Sequence, residues 1–193
     1  MRIGILALQG AFAEHSEMLA TLGARPELVR TPNQLDGLAG LILPGGESTS
    51  MRRLAEQNGL NVALRDFGKS RPVWGVCAGL ILLAARVEGD APFLGLMDMG
   101  VARNAYGRQG DSFVSLLNIG ERGTFCGVFI RAPRVIETGS KVEILARLGE
   151  APVFLRQGHL MATAFHPELA GDGRVHEGFL NLCAKSAGVP AIG

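Results

Sequence analysis

The sequence predicts an α/β fold of three layers, α/β/α, with helices over both faces of a mostly parallel central sheet. Three observations lead there. The first half alternates short apolar runs with helix-period segments, the pattern of strands joined by crossover helices. From about Gly95 to Phe165, β-branched and aromatic runs broken by glycine take over, and these read as further strands, some of them antiparallel. A chain of 193 residues that is 47% hydrophobic and only 19% charged suits one compact domain over 1–193 with a large core, not a disordered or fibrous protein.

Element by element, Ile3 to Leu8 reads as a first strand and Ala11 to Leu22 as a helix stopped by Gly23. A short extended piece around Leu28 to Arg30 follows, then an apolar strand Leu41 to Leu43 and a helical Ser50 to Glu56. Pro72 to Val76 is apolar, with a strand at Val73 to Val76, and Leu80 to Ala85 is helix-like. In the second half Phe113 to Leu117, Gly127 to Ile130 and Val142 to Ala146 carry strand patterns, and Val175 to Lys185 closes the chain as a helix.

Charge and cysteine usage exclude several functions. Nineteen basic residues against eighteen acidic ones, a formal net charge of +1, provide no electrostatic footprint for nucleic acid. Cys77, Cys126 and Cys183 are an odd, scattered set, neither a disulfide framework nor a metal-ligand cluster, as in a reducing cytoplasm. His15, His159 and His176 lack a metal-ligand pattern and read as structural or solvent-facing. The apolar start Ile3 to Leu8 is too short for a signal-peptide core, and no apolar stretch approaches the roughly 18 residues needed to span a bilayer. The expectation is a soluble cytoplasmic protein with no membrane partner.

The chemistry concentrates at two strand ends and one late segment. Gly75-Val76-Cys77-Ala78-Gly79 lies between a strand and a helix, the thiol form of a nucleophile elbow: small neighbours let the chain bend and lift Cys77 into the open. A helix start beyond it favours the thiolate. The bland alternative is a small buried hydrophobe. Ala164-Phe165-His166-Pro167-Glu168 sets a histidine two residues from a carboxylate, and Pro167 biases His166 toward extended geometry, so that both side chains face one way. A thiol, a base and an acid that orients the base make up a generalised triad. At Leu43-Pro44-Gly45-Gly46-Glu47-Ser48-Thr49 paired glycines end a strand, where backbone N–H groups can turn toward an oxyanion or a carboxylate. An ordinary capped turn is the alternative there. Beside Cys77, the amides of Ala78 and of Gly45 or Gly46 would complete an oxyanion hole.

These residues resemble the triad of class I glutamine amidotransferases, and the resemblance is strongest to the family of glutaminase subunits of pyridoxal 5'-phosphate synthases. It runs from Leu8-Gln9-Gly10-Ala11 through Leu43 to Thr49, Met51-Arg52-Arg53 and Cys77-Ala78-Gly79-Leu80. It continues through Arg103-Asn104, Gly107-Arg108-Gln109, Asp111-Ser112-Phe113 and Gly127 to Pro133, and ends at Phe165 to Leu169. The resemblance implies a flavodoxin-like sheet, no cofactor, no metal, and hydrolysis of L-glutamine to glutamate and ammonia, the ammonia passing to a separate synthase barrel subunit in a hetero-oligomer. It implies Cys77 as nucleophile, His166 as base and Glu168 as its orienter. Gly46, Glu47, Ser48, Arg103, Ile130 and Arg131 would surround the glutamine, with Arg103 on its charged end, where a guanidinium fork suits a carboxylate. Without that match Arg103 reads as a surface cation. The chain departs from the family's usual threonine at Val76, which keeps the β-branched shape and drops a hydroxyl. Two other functions remain open at this level: a stand-alone Cys-His γ-glutamyl hydrolase or thiol sensor of the same fold, and a binding subunit with a silent triad.

Overall fold

The structure, a computed structural model, describes residues 1–103 and 112–188. Strand β1 (Arg2–Leu6) leads through helix α1 (Phe12–Thr21) to β2 (Arg25–Val29), and β3 (Gly40–Leu43) leads through α2 (Ser48–Gln57) and α3 (Leu60–Ser70) to β4 (Val73–Val76). A short helix α4 (Ala78–Leu83) runs into β5 (Ala84–Val87). Then come β6 (Met97–Ala102), β7 (Ser112–Asn118), β8 (Thr124–Ile130), β9 (Arg134–Thr138), β10 (Glu143–Leu148), β11 (Ala151–Gln157) and β12 (Leu160–Thr163), before the closing helix α5 (Arg174–Ala187).

Among the described residues the main sheet has seven strands in the order β10-β11-β12-β4-β3-β1-β2. The five from β12 to β2 are mutually parallel, and β11 and β10 extend the edge as antiparallel strands. From β1 the chain crosses outward to β2, whereas from β3 it crosses the other way to β4. Right-handed crossovers therefore place α1 and the α2–α3 pair on opposite faces, and the reversal opens a crevice at the carboxyl ends of β1 and β3. A three-stranded sheet, β5-β6-β9, and the hairpin β7-β8 stand beside the main sheet.

The core fills both faces. In β4, Trp74 is fully buried on one face, its indole N–H donating to Thr163 Oγ1 at 3.1 Å, and its ring meets Phe179 of α5. Gly75 points to the other face, where a Cβ would lie 2.4 Å from the Gly79 carbonyl oxygen of α4. A Cβ at Gly79 would in turn lie 2.0 Å from the Leu43 carbonyl oxygen of β3. The elbow glycines are thus required because helix and strands pack backbone to backbone.

The differences from the sequence reading have local causes. α3 has no counterpart in the sequence reading: Gly59 precedes it, and its stripe of Leu60, Leu64 and Gly68 spends a buried position on a glycine. The helix after Cys77 begins at Ala78 and stops at Leu83, and Ala84 and Ala85 turn extended because β5 pairs with β6. Helix α2 starts at Ser48, two residues before the expected Ser50, since the Glu47 carboxylate caps it by accepting from the N–H groups of Thr49 and Ser50 at 2.9 and 2.7 Å. The second strand begins at Arg25, earlier than Leu28, because it pairs with β1 along its whole length.

Candidate active site

Cys77 directly follows β4, and His166 lies three residues beyond β12. The two strands are neighbours in parallel register, Thr163 opposite Val76, so both residues emerge at the same sheet end. Gly45 and Gly46 follow β3 on the other flank of β4, and Gln9 follows β1. Four adjacent parallel strands thus deliver four loops to one crevice.

Cys77 has φ 48° and ψ −99°, a region that side chains rarely occupy, and its N–H donates to the Thr163 carbonyl at 2.8 Å. The elbow is held from outside by β12, the strand that leads to His166. Among the described residues only Cys77 and Arg131 combine a side chain with positive φ, and both line the same cavity. Backbone strain of this kind collects where surrounding structure enforces a functional geometry.

His166 is anchored by its N–H to the Val128 carbonyl of β8 at 2.7 Å. Its Nδ1 donates to Glu168 Oε1, also at 2.7 Å, and the Cys77 side chain lies near enough to the ring to act on its pKa. The sequence reading aligned His166 and Glu168 along an extended chain; instead Pro167–Leu169 forms one 3-10 turn that curls the carboxylate back beneath the ring. Proline at the first position of such a turn loses no hydrogen bond. Cys77, His166 and Glu168 are only 6%, 6% and 7% exposed, so their mutual electrostatics are little screened. Burial alone would lower the His166 pKa, but hydrogen bonds to Cys77 and Glu168 and the charges of both outweigh it and raise the value to about 10.

A cavity of about 340 Å³, at the small end of the range for small-molecule sites, opens in front of this row. Gly46, Glu47, Ser48, Cys77, Ala78, Arg103, Ile130, Arg131 and His166 all line it. Two other lining residues, Thr49 and Ile81, escaped the sequence reading: one looked like part of a cap, the other like the core face of a helix. Gly45 does not line the cavity; a Cβ there would meet His166 Cε1 at 2.3 Å, so the glycine is the floor on which the imidazole rests. Gly46 and Ala78 do line the cavity, and as the first residue of α4 Ala78 has no intrahelical acceptor for its N–H. Gln9 Oε1 accepts from the Glu47 N–H at 2.7 Å and so pins the loop after Gly46 across the crevice.

The Glu47 carboxylate is engaged by its own helix. Burial opposes ionisation, yet hydrogen bonds from Thr49 and Ser50 bring its pKa down to about 2. Arg103 reaches the cavity edge with Nη2 on Asp90 Oδ2 at 2.5 Å and Nη1 on Thr49 Oγ1 at 3.3 Å. Ile130 contributes its carbonyl oxygen, 3.7 Å from Cys77 Sγ. Asn104, Gly107, Arg108, Gln109 and Asp111 lie outside the described residues. Among the described residues no group of three His, Cys, Asp or Glu side chains is placed to hold a metal, and no helix is long and apolar enough to cross a membrane.

Residues 5–185 match the SNO glutamine amidotransferase family. The pyridoxal 5'-phosphate synthase subunit PdxT of Pelotomaculum thermopropionicum is 50% identical over 190 residues, covering 96% of this chain and 97% of that one. PdxT of Deinococcus radiodurans is 49% identical, with 97% of this chain and 100% of that one covered. A crystal structure of a glutamine amidotransferase superposes with a TM-score of 0.90 at 46% identity, covering 94% of this chain and 98% of that one. The structure of PurLQS from Thermotoga maritima, with a TM-score of 0.69 at 17% identity over 93% of this chain and 97% of that one, shares the fold alone.

Proposed function

Because the chain belongs to the SNO glutamine amidotransferase family, we propose that it hydrolyses L-glutamine to L-glutamate and ammonia as the glutaminase subunit of a pyridoxal 5'-phosphate synthase. The observation that carries this reading is that Cys77 and His166, with Glu168 bonded behind the ring, meet at the wall of a cavity that Gly46, Ala78 and Arg103 also line. Residues 1–193 act as one amidotransferase domain. The proposed compartment is the cytoplasm, whose reducing conditions suit three unpaired cysteines.

The geometry supports the following reaction. His166 takes the thiol proton, and Cys77 Sγ attacks the side-chain amide carbon of glutamine, forming a C–S bond. The amide oxygen becomes an oxyanion that the N–H groups of Gly46 and Ala78 stabilise. The protonated His166 gives its proton to the nitrogen, the C–N bond breaks, and ammonia leaves a γ-glutamyl thioester. Water then attacks the thioester carbon while His166 accepts its proton; the C–S bond breaks and the proton returns to the thiol. Glu168 holds the ring so that Nε2 faces the thiol and balances its positive charge throughout. The α-carboxylate of glutamine is received by Arg103, which Asp90 and Thr49 hold at the cavity edge. The ammonia passes to the synthase barrel subunit of the hetero-oligomer.

Ammonia release from glutamine, measured for this chain alone and with a pyridoxal phosphate synthase barrel subunit, tests the proposal. Release that depends on the partner and vanishes in Cys77→Ala supports it. No release from either preparation moves the assignment to another γ-glutamyl substrate or to a silent site, and full activity in Cys77→Ala removes the thiol mechanism.

A further inference from the structure

Behind Glu168 the structure continues in a direction the reaction above does not use. The Glu168 side chain is fully buried, with Oε1 taken by His166. Its other oxygen, Oε2, faces His15 Nε2 of helix α1 at 3.5 Å, and neither atom has another partner among the described residues. His15 Nδ1 lies 2.9 Å from His176 Nε2 of helix α5, and both rings are fully buried. Trp74 closes the row, its ring edge-on to His15 at 5.5 Å and to His176 at 4.8 Å, so that packing fixes both imidazole planes.

We propose that His15 is a positioning residue for the hydrolysis, donating Nε2–H to Glu168 Oε2 within a line His176–His15–Glu168–His166 that aims the base at Cys77. This rests on the glutaminase reading. The tautomers follow from counting protons. Burial pushes His15 well below its ordinary pKa and His176 down to about 3, so both rings are neutral and each carries one N–H. An ionised Glu168 is acceptor-only, so the proton of His15 belongs on Nε2, facing the carboxylate. His15 Nδ1 is then an acceptor, and His176 must supply it from Nε2–H. That leaves His176 Nδ1 bare, and it is the one remaining ring atom of the pair without a partner among the described residues. The opposite assignment points a lone pair of His15 at a carboxylate. A buried carboxylate with one oxygen unpaired is costly, which supplies the driving force for the 3.5 Å gap to close toward an ordinary hydrogen bond. Catalytic contacts commonly tighten in this way once substrate is bound.

The test compares His15→Leu, which removes the donor and keeps bulk, with His15→Gln, whose side-chain amide places a donor near the former Nε2. Both are assayed for ammonia release with the synthase barrel subunit present. We expect kcat in His15→Leu to fall about 10- to 100-fold while KM for glutamine stays within about twofold, and His15→Gln to recover most of the rate. Nitrogen-15 NMR of the histidine-labelled wild-type chain should show neutral His15 protonated at Nε2, and the His166 Nδ1–H resonance should persist in His15→Gln and be lost or displaced in His15→Leu. Wild-type kcat in His15→Leu, equal damage in both variants, or a His15 proton on Nδ1 overturns the proposal. If the wild-type chain releases no ammonia, the glutaminase reading fails instead, and the NMR assignment still decides whether His15 faces the carboxylate as a donor.

Discussion

Gly45 shows how one missing atom sets the position of the His166 ring. A Cβ there would overlap the imidazole of His166, and the conflict lies at the ring's Cε1, between the two nitrogens that contact Cys77 and Glu168. Gly45→Ala must tilt the ring away from at least one partner. Because loss of a positioned base costs roughly 10²- to 10⁴-fold, kcat for ammonia release should fall by that order, while the unfolding midpoint changes little. Unchanged kcat in that variant would show that the ring does not rest on the glycine. Arg103 belongs to the proposed binding half of the site. Its guanidinium is already oriented by Asp90 and Thr49, so if Arg103 receives the α-carboxylate as proposed, Arg103→Met removes a charge-assisted contact without disturbing the thiol. KM for glutamine should rise about 10- to 100-fold with a much smaller change in kcat, read from initial rates over a glutamine series.

At the scale of elements, helix α2 brings the loop after β3 into the site and depends on Glu47 for its start. The carboxylate accepts two of the helix's free N–H groups, and that bonding, against the cost of burial, keeps it ionised down to about pH 2. Glu47→Ala should therefore lower stability by about 1 kcal/mol, measurable as a reduced denaturation midpoint with unchanged slope. The hairpin of β7 and β8 acts from the opposite side: Val128 holds the backbone of His166 and Ile130 approaches the thiol, so one strand steadies both partners of the proposed proton transfer. Strand β12 does the same from beneath, its Thr163 carbonyl receiving the N–H of Cys77 and its hydroxyl that of the Trp74 indole. The elbow is rigid because strands on two sides hold it.

For the whole molecule, the buried histidines give stability a definite pH dependence. His176 titrates near 6.5 when unfolded and about 3 when folded, and His15 is likewise lowered, so between those values the unfolded chain binds more protons and stability falls as pH falls. His166 has the opposite sign: its pKa is raised to about 10, so the stability it contributes is fully present below 6.5 and is lost as pH climbs toward 10. The slopes approach about 1.4 kcal/mol per pH unit for each fully shifted group. Stability should peak near pH 6.5. The one tryptophan of the chain sits against both histidines, so unfolding followed by Trp74 fluorescence across pH 4 to 9 reports it, and His176→Leu should flatten the acid side alone. A flat profile between pH 4 and 6.5 would show that the histidines are not held neutral.

The sequence by itself determined the α/β class, the elbow at Cys77, the pairing of His166 with Glu168 and the family, because each is written in a few adjacent residues: glycines that only a tight packing needs, a proline that shapes its neighbour, apolar runs of strand and helix period. It also placed Gly46 and Ala78 beside Cys77 from the motifs themselves, and Glu47, Ser48, Arg103, Ile130 and Arg131 only through resemblance to a family. The tertiary structure decided the rest. That β12 lies beside β4 follows from strand order and right-handed crossovers, which no local pattern specifies, and it is this neighbourhood that brings His166 to Cys77. Gly45 became a floor for the ring instead of a lining residue for the same reason. His15 and His176 looked like isolated histidines, each at a position its helix buries, and only the packing of α1 and α5 onto Trp74 set them in line behind Glu168. Local preferences act over a few residues and can be read from them, whereas contacts between distant strands and helices exist only once the sheet has chosen its order.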